Sequence, residues 1–169
     1  MRSLVAAAAV GLALACAGCG FHPLYAPGGS TQAGLREVYV DVIPNRNGQL
    51  LRQALQRRLE GSEGGGNEHF ELSVALTLAS DAIGIQSDNS SSRTRYLGTA
   101  HWTLHKPGAF GGKMASGTVR SLDGANVIDE QFFYSDLSGE AIQRRMGENL
   151  ADQIVQALAA YFRAHPDEA

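Results

Sequence analysis

Residues 138–162 read Ser-Gly-Glu-Ala-Ile-Gln-Arg-Arg-Met-Gly-Glu-Asn-Leu-Ala-Asp-Gln-Ile-Val-Gln-Ala-Leu-Ala-Ala-Tyr-Phe, and within them Ile142, Met146, Leu150, Ile154, Leu158 and Phe162 recur every four residues. Side chains four apart share one face of an α-helix, so this stretch predicts a long amphipathic helix with one apolar stripe. Ser138 is suited to cap its start, Glu140 lies near the positive helix end, and Leu137 with Ile142 has the spacing of a hydrophobic staple. Pro166 marks its end. Such a stripe must be buried against something, and the rest of the chain supplies a sheet.

A second, shorter stripe precedes it: Leu51, Leu55 and Leu59 follow Asn47, a candidate cap, with Arg52, Gln56, Arg57 and Arg58 on the remaining positions. The strands are read from alternation. Val38, Val40 and Val42 share one face of residues 37–43, which Pro44 stops. Phe70, Leu72, Val74, Leu76 and Leu78 share a face of a long second strand, and Ile83 and Ile85 have the opposite parity. A bulge near Ser80 and Asp81 is expected to return those two isoleucines to the buried face. After the polar turn at residues 88–92, Tyr96, Ala100, Trp102 and Leu104 share a face of a third strand, antiparallel to the second. Residues 106–113 form a loop, residues 114–122 a weaker fourth strand, and Asp123-Gly124 closes it. Val127, Ile128, Phe132, Phe133 and Tyr134 fit either a strand extension or a segment lying over the core.

The order is strand, helix, three strands, helix. The first crossover favours a parallel pair and the rest a meander, which gives an α+β fold: two helices packed on one face of a roughly four-stranded mixed sheet.

The first eighteen residues have a different character. Arg2 precedes an uninterrupted apolar run at residues 4–17, too short for a retained membrane helix, which needs about 20 residues. Ala17-Gly18-Cys19 then has the layout of a bacterial lipoprotein cleavage site, with Cys16 as a competing cysteine. Residues 1–18 are expected to be a lipoprotein signal peptide, Cys19 the lipidated residue, residues 19–34 a flexible tether containing Pro23, Pro27, Gly28 and Gly29, and residues 35–169 a single domain. The string Cys19-Gly20-Phe21-His22-Pro23-Leu24-Tyr25 resembles the mature start of the LptE family of lipopolysaccharide-assembly lipoproteins. The order of strands and helices is similar to that family over the mature chain. The resemblance implies a non-catalytic protein, anchored by lipid to the periplasmic side of the outer membrane, that sits within the LptD β-barrel and assists its assembly and lipopolysaccharide export.

Composition sets bounds on this. Removing 18 of 169 residues leaves 151, enough for one domain that buries roughly 70% of the surface its unfolded chain exposes. The formal net charge of −3 becomes −4 when Arg2 leaves, which argues against nucleic acid as a partner. With Cys16 discarded and Cys19 acylated, no cysteine remains for a disulfide.

Several possible chemistries find little support. Gly64-Gly65-Gly66 lacks the Gly-Lys-Ser/Thr ending of a phosphate loop. His101 and His105 on a strand start about 13 Å apart, too far to share one zinc. No Gly-X-Ser-X-Gly turn surrounds Ser116 or Ser121. No cofactor is expected; the alternative to the barrel partner is an envelope lipoprotein that binds another lipid or peptide, and a lipid-anchored hydrolase is the minor one. Candidate contacts to the phosphates of lipopolysaccharide are Arg93 and Arg95, which follow the serine turn, and Lys106 and Lys113, which bracket the next loop. The two groups are expected at opposite ends of the sheet.

Overall fold

The computed structural model describes residues 30–59, 69–85, 91–106, 108, 111–126 and 132–168. The signal stretch, Cys16, Cys19, residues 19–29 of the tether, the triple glycine, residues 88–90 of the serine turn, Val127 and Ile128 lie outside them. In chain order the elements are α1 (Ser30–Arg36), β1 (Val38–Val40), α2 (Asn45–Leu59), β2 (Phe70–Ile85), β3 (Ser91–His105), β4 (Lys113–Asn126) and α3 (Phe132–Ala164), followed by a 3-10 turn at Pro166–Glu168.

The sheet order is β1-β2-β3-β4, with β1 parallel to β2 and the remaining pairs antiparallel. This is the predicted α+β arrangement, with one addition. The short helix α1 begins inside the stretch read as tether; Leu35 on it is buried and it packs against α3. Seven residues are too few to display a helical period, so it left no pattern to read.

Both long helices lie on the sheet face that presents Phe70, Leu72 and Val74 of β2 and Ala100, Trp102 and Leu104 of β3, all buried. The α2 stripe of Leu51, Leu55 and Leu59 and the α3 stripe of Leu150, Ile154, Leu158 and Phe162 close the core over them. Phe70 and Phe162 meet with ring centroids 5.0 Å apart at 56°, a tilted aromatic contact. Gly98 permits the close approach of α3, and Gly117 makes room for the indole of its cross-strand partner. A Cβ on Gly98 would stand 2.8 Å from Met146 Cε and 3.3 Å from Leu150 Cδ1, and one on Gly117 would stand 2.9 Å from the Trp102 indole. The helices are also joined at their surface, where Arg58 Nε donates to Asp152 Oδ1 at 2.6 Å and Arg57 pairs with Glu148. Among the described residues no helix is long and apolar enough to cross a membrane.

Helix starts differ from expectation in both cases. Helix α3 begins at Phe132, so Ser138 is inside it, and the segment from Phe132 to Tyr134 is helical. In α2 the boundary residue is Asn45, whose φ of 70° a short polar side chain tolerates. Asn47 lies in the first turn with its Oδ1 buried and without a partner among the described residues, and does not cap. The fourth strand runs on through Asp123-Gly124 to Asn126, since Arg95 and Tyr96 of β3 pair with those two residues.

Candidate functional site

Past the buried core the β2–β3–β4 sheet continues toward Ile83, Arg93 and Leu122, whose side chains are exposed. The outer face, opposite the helices, carries the odd-numbered residues of β3 and β2, and its cross-strand rows follow from the register. Thr77, Thr99 and Arg120 form one row; Ala79, Leu97 and Leu122 form the next; Asp81, Arg95 and Gly124 form the third. The register then shifts between Ala82 and Gly84 and again before Ile85. The expected bulge therefore exists, but lies past Asp81, and it does not bury Ile83, which is 48% exposed. Extra residues in a bulge re-aim side chains, and here Ile83 is turned into a surface cleft.

That cleft has a volume of about 470 Å³ and is lined by Ile83, Arg93, Arg95, Leu122, Asp123 and Gly124. Leu122, 65% exposed, and Ile83 supply apolar walls. Arg93 and Arg95 are alternate residues on one strand, so their guanidinium groups rise from the same face about 7 Å apart at the backbone. Arg93 folds over Gly124, with its Nε 3.7 Å from where a Cβ would be. Arg95 donates from Nη2 to Asp81 Oδ2 at 3.2 Å. The Asp123 carboxylate is occupied on the helix side: Oδ1 accepts from Gly124 N at 2.8 Å and Oδ2 from Arg145 Nε at 3.0 Å. Two cations and two aliphatic side chains on one rim can take a phosphate with an attached hydrocarbon chain.

Of the four candidate cations, the structure thus brings Arg93 and Arg95 together. Lys106 and Lys113 are at the other end: Lys113 pairs with His105, twelve residues along β3 from Arg93, or about 40 Å. Both lysines are exposed. Ile83, Leu122 and Asp81 escaped the sequence reading because their neighbours are set by strand register; only the odd parity of Ile83 hinted at them. His101 donates to or accepts from Thr118 Oγ1 at 2.8 Å on the outer face. Among the described residues no group of three or more His, Cys, Asp or Glu side chains could hold a metal ion. A second pocket, between Arg46, Leu50 and Glu140, Gln143 and Arg144, holds only about 50 Å³, room for a water or two.

The fold is similar to solved lipoprotein structures. A lipoprotein from Caulobacter crescentus superposes with a TM-score of 0.63 at 21% identity, covering 80% of this chain and 96% of that one. The rare lipoprotein B from Shewanella oneidensis gives 0.57 at 12% identity, covering 75% and 95%. A minor lipoprotein from Acinetobacter baumannii gives 0.55 at 17% identity, covering 74% and 92%. Comparison with curated proteins finds none that matches. The family model described as "LptE: Lipopolysaccharide-assembly" matches residues 35–158, a span that holds all four strands, helix α2, most of α3 and the whole lining of the cleft, and the chain belongs to the LptE family.

Proposed function

We propose that this protein is a non-catalytic lipoprotein of the outer membrane, anchored through Cys19 on the periplasmic side, that occupies the lumen of an LptD-like β-barrel, assists its assembly, and contacts lipopolysaccharide during export. The observation that carries the reading is the family match over residues 35–158. Two features of the surface agree with it. The outer sheet face displays Thr77, Thr99, Ser116 and Thr118, small polar groups suited to a broad, wet interface with no single charged anchor. The cleft at the sheet's far end offers arginine forks to lipid A phosphates and aliphatic walls to acyl chains.

The test is a pair of assays on the double variant Arg93→Glu, Arg95→Glu: pull-down of the barrel, and lipopolysaccharide binding at two salt concentrations. Binding of lipopolysaccharide is expected to weaken, most at low ionic strength where screening is least, while the barrel complex still forms. Unchanged lipopolysaccharide binding at both salts removes the cleft from the site. Loss of the barrel alone assigns these arginines to the protein interface.

A further inference from the structure

The cleft holds its own counter-ion. Asp81 and Arg95 are directly opposed in the β2–β3 register, and their side chains meet on the outer face at 3.2 Å. Contacts between a guanidinium and a carboxylate usually close to about 2.7–2.9 Å, and the tight ones use two parallel bonds. Here one nitrogen reaches one oxygen, with the side chains 47% and 59% exposed. Such a pair is held weakly and is easily exchanged. Arg93, two residues away on the same face, has no ion pair among the described residues.

We propose that Asp81 is a displaceable counter-anion: a phosphate-bearing amphiphile exchanges with its carboxylate on Arg95, so that Asp81 sets how strongly the cleft binds anionic lipid. The inference rests on the cleft being the lipid-contacting site. The incoming phosphate bridges the free Arg93 and the released Arg95, and its hydrocarbon lies against Ile83 and Leu122. Asp81 turns to solvent, for which its exposure leaves room. A monoanion of weak binding power gains little from this exchange, whereas a phosphate with two arginine partners gains both bonds.

The experiment measures binding of lipid A or phosphatidylglycerol to the full-length protein held in neutral detergent micelles, where the acyl anchor is already buried, with phosphatidylcholine as the neutral arm. Asp81→Asn keeps the side-chain shape and removes the competing charge. It is expected to tighten binding by about threefold to fivefold, the scale of an exposed ion pair. In an Arg95→Ala background the same substitution is expected to change binding by less than about twofold, because the group it competes for is gone. A gain equal in both backgrounds, or no gain at all, overturns the exchange. If Arg93→Ala and Arg95→Ala weaken binding but Asp81→Asn does not strengthen it, the counter-ion role fails and the cleft stands. If none of the three substitutions changes binding, the cleft itself fails and takes the inference with it. A gain confined to lipid A identifies that source of phosphate, and a gain with both anionic lipids identifies the shared phosphate chemistry.

Discussion

Truncating Leu150 to alanine tests the two-layer packing directly. Leu150 is 1% exposed in the middle of α3, and its Cδ1 lies against the backbone of Gly98 on β3. The substitution removes three buried carbons, worth about 2.4 kcal/mol at roughly 0.8 kcal/mol each. The sheet cannot easily follow, because Met146 already lies close against the same glycine. A residual cavity of about 60 Å³ adds about 1.4 kcal/mol, for a total of roughly 3 to 4 kcal/mol. In a domain of this size that lowers Tm by about 6 to 16 °C. Thermal unfolding followed by circular dichroism measures it, with the exposed Gln156→Ala on the same helix as the control, expected to change stability by less than about 0.5 kcal/mol. A Leu150→Ala protein melting within about 2 °C of the parent refutes the packing of α3 on β3.

The remaining predictions concern the two ends of the chain. Cys19→Ala is expected to yield unprocessed precursor or protein without acyl chains, while Cys16→Ala retains the lipid; mass spectrometry of the mature N-terminus decides, and acyl mass on Cys16 overturns the assignment. Since each buried methylene contributes about 0.8 kcal/mol, an anchor of several chains is effectively permanent. At the other end, partial burial and the hydrogen bond to Glu168 push the Tyr161 phenol up from its ordinary value to about 12. A raised folded pKa means the stabilisation is fully present below about pH 10 and is lost between about pH 10 and 12. A tyrosine ionisation step near pH 12 is therefore expected in an ultraviolet titration, absent from Tyr161→Phe and moved to lower pH in Glu168→Gln.

The parts of this fold that the sequence disclosed are those governed by local period. The leucine stripe of α2, the four-residue stripe of α3 and the even-numbered faces of β2 and β3 can be read because one buried face imposes one spacing. The strand, helix, meander order then leaves little topological choice. Boundaries were less legible. Ser138 is a good capping residue, yet α3 continues six residues before it, because the helix can extend wherever no residue forbids it. Asn47 has capping chemistry, but the preceding Asn45 takes the left-handed turn first. The cleft was half legible: Arg93 and Arg95 are visible as a basic pair, but Asp81 and Leu122 come from other strands and reach them only through the register, and Ile83 only through the bulge past Asp81. A shift of one residue would have sent each of them to the other face.

The chain contains one tryptophan, and its place in the sheet gives it a further use. Trp102 is 5% exposed, laid across Gly117, with an indole nitrogen that has no hydrogen-bond partner among the described residues. It lies seven residues, about 23 Å of strand, from Arg95. Native emission is therefore expected to be that of a dry indole, shifting to the red when the helices leave the sheet. The same fluorophore is too distant to sense a lipid settling at the far rim, so intrinsic fluorescence separates loss of folding from loss of binding in any variant of the cleft without a label.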